Sequence, residues 1–265
     1  MTESGVRAGR RLWPLGVAST LVLSLVLSVV LSLALSSTGA ALAAAATPPA
    51  VHRGGMQTGQ DLLNGGGGWH YFIRRNSVSG LRGWTHPGLP AGWRVHDGVL
   101  SKNGPVDDLE STRPYKDFEL ELEWNIGREG NSGIFYRATH EYDEIYWTGP
   151  EYQLVDDANT EDGKSRLTAA GSVYAVYPSP AGAIHPYGHW NSARIIVRGN
   201  HVEYFANGRK IVDYHFGSAD WEKRVAASKF KAYPGYGRAP VGLIGLQGNH
   251  PGSVEIRDMR IKVLP

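Results

Sequence analysis

The chain has 265 residues, 42% of them apolar and 20% charged, with 27 Lys or Arg against 25 Asp or Glu and no cysteine. An exported chain of this composition has no disulfides to rely on and must be held by an ordinary hydrophobic core, for which one domain of about 200 residues is enough. Residues 1–46 carry three Arg and one Glu, so the remainder holds 27 less three and 25 less one, or 24 charges of each sign. That balance leaves no basic stripe and argues against a nucleic-acid partner.

Arg7, Arg10 and Arg11 precede an apolar run from about Leu15 to Leu35, and an Ala-rich stretch follows to Ala46. This is the layout of an export signal, which places the mature chain outside the cell or in the cell envelope. Arg10-Arg11-Leu12 resembles a twin-arginine start, but Trp13-Pro14 fits that pattern poorly, so the route stays open. The apolar run is just long enough to span a bilayer, so a membrane association is expected only if the segment is uncleaved. The small residues of Ala41–Ala46 favour cleavage. Residues 47–68, rich in Pro, Gly, Gln and Asn and ending in four glycines, read as a flexible linker.

From residue 69 to 265 the pattern changes to short alternating segments separated by Gly, Asn, Asp and Pro about every ten residues, the pattern of an antiparallel sandwich. Strands are expected at 93–100, 118–125, 133–137, 152–155, 192–198, 201–206, 210–215, 241–247 and 254–263. His96-Asp97-Gly98 and Ala206-Asn207-Gly208 supply glycine where positive φ is needed, and Arg198-Gly199-Asn200 joins two alternating runs as a tight hairpin. Only 219–229 looks helical, with Trp221, Val225 and Phe230 on one side.

Several polar segments invite a chemical reading. Glu119, Glu121 and Glu123 form a comb on one face of a strand, but the Glu-x-Asp-x-x-Glu spacing of some sandwich glycosidases is absent, and a solvated face with Leu120 and Leu122 inward is the simpler account. Asp157 to Gly163 resembles a calcium loop one residue out of register, with Thr168 where a closing Glu is needed, and reads as a solvated acidic loop. His140 to Glu144 lacks the spacing that sets two imidazoles on one helical face. There is no Gly-x-Ser-x-Gly elbow and no phosphate-cradling glycine loop. In 151–156, alternation puts Glu151, Gln153 and Val155 on one face and Tyr152, Leu154 and Asp156 on the other. The polar residues Asn131, Arg137, Glu151, Gln153, Asp156, His185, Gln247 and His250, with Tyr146, Trp147, Tyr152, Tyr174 and Tyr187 near them in sequence, are the mixture that binds sugars.

In order, Trp93-Arg94-Val95-His96-Asp97-Gly98, Asp117-Phe118-Glu119-Leu120, Asn131-Ser132-Gly133-Ile134-Phe135-Tyr136-Arg137, Glu151-Tyr152-Gln153-Leu154-Val155-Asp156, Gly171-Ser172-Val173-Tyr174, His189-Trp190-Asn191, Asn207-Gly208 and Gly245-Leu246-Gln247 resemble the 3-keto-disaccharide hydrolase family over about residues 69–264. The resemblance implies an all-β, two-sheet antiparallel jelly-roll sandwich of the concanavalin A-like type. It also implies a carbohydrate substrate oxidised to a ketone at C3, cleaved by base-catalysed elimination between C2 and C1 and then hydration. Glu151 or His250 would be the base and Asp156 or His185 the acid or a metal ligand. Asn131, Arg137 and Gln153 would hold the ketone and hydroxyls, with Tyr152, Tyr174, Trp147 and Gln247 completing substrate binding. A divalent metal is left open, no nucleotide or redox cofactor is expected, and an oxidoreductase that makes the 3-keto sugar is the natural functional partner. The chain departs from the family at Leu246-Gln247-Gly248-Asn249-His250, where Leu-Gln-Asp-His-Gly is usual: the acid is missing and the His displaced by one. The competing classes are a non-catalytic carbohydrate-binding, lectin-like module and a structural envelope domain.

Overall fold

The computed structural model describes residues 68–265, so the export segment and nearly all of the linker lie outside the described residues. Thirteen strands follow in order: β1 (His70–Tyr71), β2 (Leu81–Gly83), β3 (Arg94–His96), β4 (Val99–Asn103), β5 (Leu109–Ser111), β6 (Phe118–Ile126), β7 (Asn131–Ala138), β8 (Glu151–Val155), β9 (Asn191–Arg198), β10 (His201–Ala206), β11 (Arg209–His215), β12 (Leu243–Leu246) and β13 (Ser253–Val263), with one helix, α1 (Ala219–Ala227), before β12. They form an antiparallel jelly-roll sandwich. One sheet runs β11-β10-β9-β6-β13-β4-β3, with β1 also on β13, and the other runs β2-β5-β12-β7-β8. Among the described residues no helix is long and apolar enough to cross a membrane.

Alternation explains the larger sheet. In β6 every second residue, Phe118, Leu120, Leu122, Trp124 and Ile126, is buried. These meet Ile134 and Tyr136 of β7 and Tyr152 and Leu154 of β8 in one continuous core, where each large side chain contributes about 1.5–3 kcal/mol. The glutamates between them face outward against arginines of neighbouring strands: Glu119 with Arg194 (3.3 Å), Glu121 with Arg260 (2.6 Å) and Glu123 with Arg257 (2.6 Å). The comb is thus a cross-strand ion-pair ladder on the solvent face.

The run expected at 93–100 is two strands, because Asp97 (φ 47°) and Gly98 (φ 83°) turn the chain between His96 and Val99. Asn207 (φ 49°) and Gly208 (φ 79°) make the same two-residue turn between β10 and β11. The short strands β1, β2 and β5 were not expected, since two or three residues carry no legible alternation. Helix α1 starts where the Ser218 hydroxyl accepts from Trp221 N–H (3.2 Å). It buries Trp221 and Val225 and hands the chain to a 3-10 turn, Lys229–Ala232.

Candidate active site

The site is built on the outer face of the five-stranded sheet. β7 and β8 pair with Gly133 opposite Gln153 and Phe135 opposite Glu151. Because Tyr152 and Leu154 point into the core, Glu151 and Gln153 point away from it. Both stay buried, at 5% and 1% exposure, because loops close over this face. Space for the Glu151 carboxylate exists because residue 133 is glycine: a Cβ there would overlap the carboxylate itself.

These loops and strands enclose a cleft of about 320 Å³ lined by Asn131, Tyr146, Glu151, Gln153, Asp162, Tyr174, Lys229, Gln247, Asn249 and His250. The Gln153 amide, oriented to donate, reaches Glu151 Oε1 (3.0 Å) and the Ser132 carbonyl (3.1 Å). Asp162 is gripped from two sides, by Tyr174 O–H on Oδ1 (2.9 Å) and Asn131 Nδ2 on Oδ2 (3.0 Å). The Gln247 backbone is fixed by its N–H on the Gly133 carbonyl (2.8 Å) and its own carbonyl on the Ser132 hydroxyl (2.8 Å). Its side-chain Oε1 is buried with no partner among the described residues, an acceptor a bound hydroxyl would satisfy. Lys229 makes no hydrogen bond or ion pair among the described residues and lies over the Tyr174 ring at 4.4 Å.

Burial shifts the protonation of two titratable groups of the cleft. It pushes the Glu151 carboxyl up to about 8, the nearby Lys229 ammonium opposing and Asp162 and Asp108 adding to the rise. Burial also lowers the His250 imidazole, helped by the positive charge of Lys102. At neutral pH the cleft therefore holds a protonated carboxylic acid and a neutral imidazole, an acid and a base with pKa values pushed apart.

The structure brings together Asn131, Tyr146, Glu151, Gln153, Tyr174, Gln247 and His250 of the residues singled out from sequence. It places six others elsewhere, Tyr187 among them, in the lining of a second hollow. Asp156 accepts from Glu129 N–H (2.9 Å), Ala158 N–H (3.0 Å) and Asn159 Nδ2 (2.7 Å), which ties down the chain leaving β8. His185 contacts the Trp190 carbonyl through Nδ1 (3.0 Å) and lines, with Asp156, a separate hollow of about 160 Å³. Arg137 is the extra residue of a bulge where β7 pairs with β12, with φ of 54°. The bulge turns it away, its guanidinium over the Phe216 ring (4.3 Å) and on the Gly199 carbonyl. Tyr152 is core, its ring 4.9 Å from Tyr204 and its hydroxyl on the Phe205 carbonyl (3.3 Å). Trp147 stacks on Tyr233 at 5.2 Å, outside the cleft lining.

Asp162, Lys229 and Asn249 line the cleft and were missed. Asp162 lay in the acidic loop read as solvated, and only its pairing with Asn131 and Tyr174, from two other segments, brings it in. Lys229 sits at the expected end of a helix, with no local signal of its use. Among the described residues, the group of three whose donor atoms converge, all within 4.8 Å of one another, is His201, Asp213 and His215 on the β10–β11 hairpin, none of them in the cleft lining.

A two-sheet sandwich with a carboxyl, amide and tyrosine-lined cleft on one face is the build of a carbohydrate-active protein. Residues 76–262 match the 3-keto-α-glucoside-1,2-lyase-like domain, and the chain belongs to that family. A 3-keto-disaccharide hydrolase of Bacteroides thetaiotaomicron is 32% identical over 220 residues, 71% of this chain and 76% of that protein. A candidate glycosyl hydrolase from Parabacteroides distasonis superposes with a TM-score of 0.69 at 30% identity, covering 79% of this chain and 99% of the other. A second protein of that organism, at 24% identity and TM-score 0.59 over 74% of this chain and 100% of the other, shares the fold. The chain is a carbohydrate hydrolase of the glycoside hydrolase kind.

Proposed function

We propose that the chain is an exported enzyme that cleaves 3-keto-glycosides, including 3-keto-disaccharides, by elimination and rehydration. The observation that carries this reading is one cleft lined by both Glu151 and His250, a neutral acid and a neutral base, among groups suited to hydroxyls. A ketone at C3 acidifies the C2–H bond. His250 takes that proton, the C–H electron pair becomes the C2–C3 double bond of an enolate, and negative charge moves to the C3 oxygen, where the Lys229 ammonium can meet it. The enolate then reforms the ketone, its C2–C3 electron pair becoming a C1–C2 double bond as the C1–O bond breaks, and the leaving oxygen takes the Glu151 proton. Water adding its hydroxyl to C1 and a proton to C2 completes a net hydrolysis, with no oxocarbenium ion of the usual glycosidase kind. Asn131, Gln153, Tyr174 and Gln247 supply hydroxyl contacts. An oxidoreductase acting at C3 of the same sugar must supply the substrate, and the export layout of residues 1–46 supports action outside the cytoplasm.

The test is product formation from a 3-keto-glucoside and from the unoxidised glucoside, with and without chelator. The expected result is turnover of the ketone alone, with loss of the C2 hydrogen to solvent. Equal turnover of both substrates would sink the elimination route, and sugar binding without turnover of either would move the reading to a lectin-like module. Chelator sensitivity would add a metal to the site.

A further inference from the structure

We propose that Lys102 and Asp108 are positioning residues that hold the loop of residues 247–252, and with it Gln247 and His250, in the geometry the reaction needs. The inference rests on the reading of the cleft as the catalytic site. Lys102 is the fourth residue of β4, where alternation turns it inward with Leu100 and leaves it 3% exposed. An ammonium so placed must be satisfied by hydrogen bonds. Its Nζ donates to the carbonyls of His250 (2.7 Å), Gly252 (3.3 Å) and Gly104 (3.4 Å), and it forms no ion pair with a carboxylate among the described residues. Asp108, 4% exposed just before β5, takes the opposite polarity: its Oδ1 accepts from the N–H groups of Gly248 (2.6 Å) and Asn249 (3.1 Å).

One six-residue loop thus has its amides held by a buried anion and its carbonyls by a buried cation. Neither charge lines the cleft. Apolar residues of similar volume would serve a core at least as well, because buried charges carry a desolvation penalty. What these two supply is a single conformation for a loop that includes two glycines, Gly248 and Gly252, the latter at φ of 79°. The Lys102 contact falls on the backbone of His250 itself, so it fixes the residue whose imidazole reaches the cleft, and its charge adds to the burial that lowers that imidazole's pKa.

The test uses the full chain as wild type, Lys102→Met, Asp108→Ala and Asp108→Asn, with kcat and KM on a 3-keto-glucoside measured separately and the His250 ring titrated by NMR. Lys102→Met and Asp108→Ala should lower kcat by about 10- to 100-fold, as misplacement of a catalytic group by about 1 Å does, with KM rising less. Asp108→Asn keeps an acceptor oxygen in place and should retain most of the turnover. Lys102→Met should also move the His250 midpoint upward. Wild-type kcat with an unmoved His250 midpoint in Lys102→Met would overturn the proposal, as would Asp108→Asn no better than Asp108→Ala. If Lys102→Met does not fold, Lys102→Arg, which keeps a cation and its donors, and the Asp108 pair decide the matter by kcat. Failure of the wild type on every ketone would refute the catalytic reading instead, and the His250 titration would still read the positioning.

Discussion

Glu151→Gln should make the protein more stable and nearly inactive, and the two effects have the same origin. The Glu151 carboxyl keeps its proton in the fold up to about pH 8, against an ordinary value of 4.5. Between those limits the unfolded chain has lost the proton and the folded one has not, so stability falls as pH rises, by about 1.4 kcal/mol per pH unit and to a ceiling of about 5 kcal/mol by pH 8. Glutamine fills the same space above Gly133, takes a hydrogen bond from Gln153 through its oxygen, and never ionises. The variant should therefore melt at nearly the wild-type temperature near pH 4.5 and progressively higher than wild type toward pH 8. For a domain of this size each kcal/mol is worth about 2–4 °C. Turnover of a 3-keto-glucoside should fall by about 10²–10⁴, the usual worth of a general acid or base, and wild-type turnover should decline above about pH 8 as the acid is lost. Thermal melts at half-unit pH intervals beside a pH–rate profile make the measurement. A variant that melts no higher than wild type at pH 8, or that keeps its turnover at pH 7, would refute both the buried acid and its role.

Gly133→Ala should cost about 1–3 kcal/mol of stability and more than tenfold in turnover, because its methyl occupies the place of the Glu151 carboxylate; a folded, fully active variant would show that the carboxylate position is unimportant. Lys229→Met should raise the midpoint of the basic limb of the pH–rate profile, since the ammonium holds the Glu151 value down, and should lower kcat by about 10²–10³ if it meets the enolate oxygen. An unmoved limb and unchanged kcat would remove Lys229 from the site. Glu121→Gln, which breaks the ion pair with Arg260 on the solvent face of β6, should change stability by about 0–1 kcal/mol and leave turnover intact; a large loss of activity would reinstate the glutamate comb as a catalytic surface.

The strands were legible because one face of each is buried and the period of two survives in the side chains: β6 reads as alternating Leu and Glu, and Tyr152 and Leu154 could be separated from Glu151 and Gln153 by parity alone. The turns were legible where φ had to be positive, at Asp97-Gly98 and Asn207-Gly208. Arg137 was singled out only as a polar residue at the end of a strand, and the bulge that turns it away from the cleft leaves no mark in the local sequence. Asp156 and His185 looked chemical because they are polar residues beside a strand or in a loop, yet both spend their hydrogen bonds on tying down local chain, Asp156 on two backbone amides and the Asn159 side chain and His185 on the Trp190 carbonyl. Asp162 and Lys229 were illegible for the opposite reason. Each lies in a connection whose path depends on what it packs against: Asp162 on Asn131 and Tyr174, Lys229 on the turn that α1 and its buried Trp221 set in place.

The two sheets divide the work in a way that follows from their exposure. The outer face of the larger sheet meets water and satisfies its charges in pairs, so its glutamates are ordinary surface acids beside arginines. The outer face of the smaller sheet is covered by loops, so a carboxyl projecting from β8 is largely cut off from solvent and, among the described residues, makes no ion pair, and burial raises its pKa so that it holds its proton at neutral pH. The same residue type at the same kind of strand position is ion-paired at the solvent face of one sheet and buried with a raised pKa on the other. The controlling variable is the loop cover, and the segments that supply it, at residues 145–147, 162–174, 229–232 and 247–252, are also those that bring Tyr146, Asp162, Tyr174, Lys229, Gln247 and His250 to the carboxyl. Shortening any of these loops should therefore act twice, removing a contact to the sugar and letting water lower the Glu151 midpoint. The second effect can be read without substrate, as a smaller loss of stability between pH 4.5 and 8.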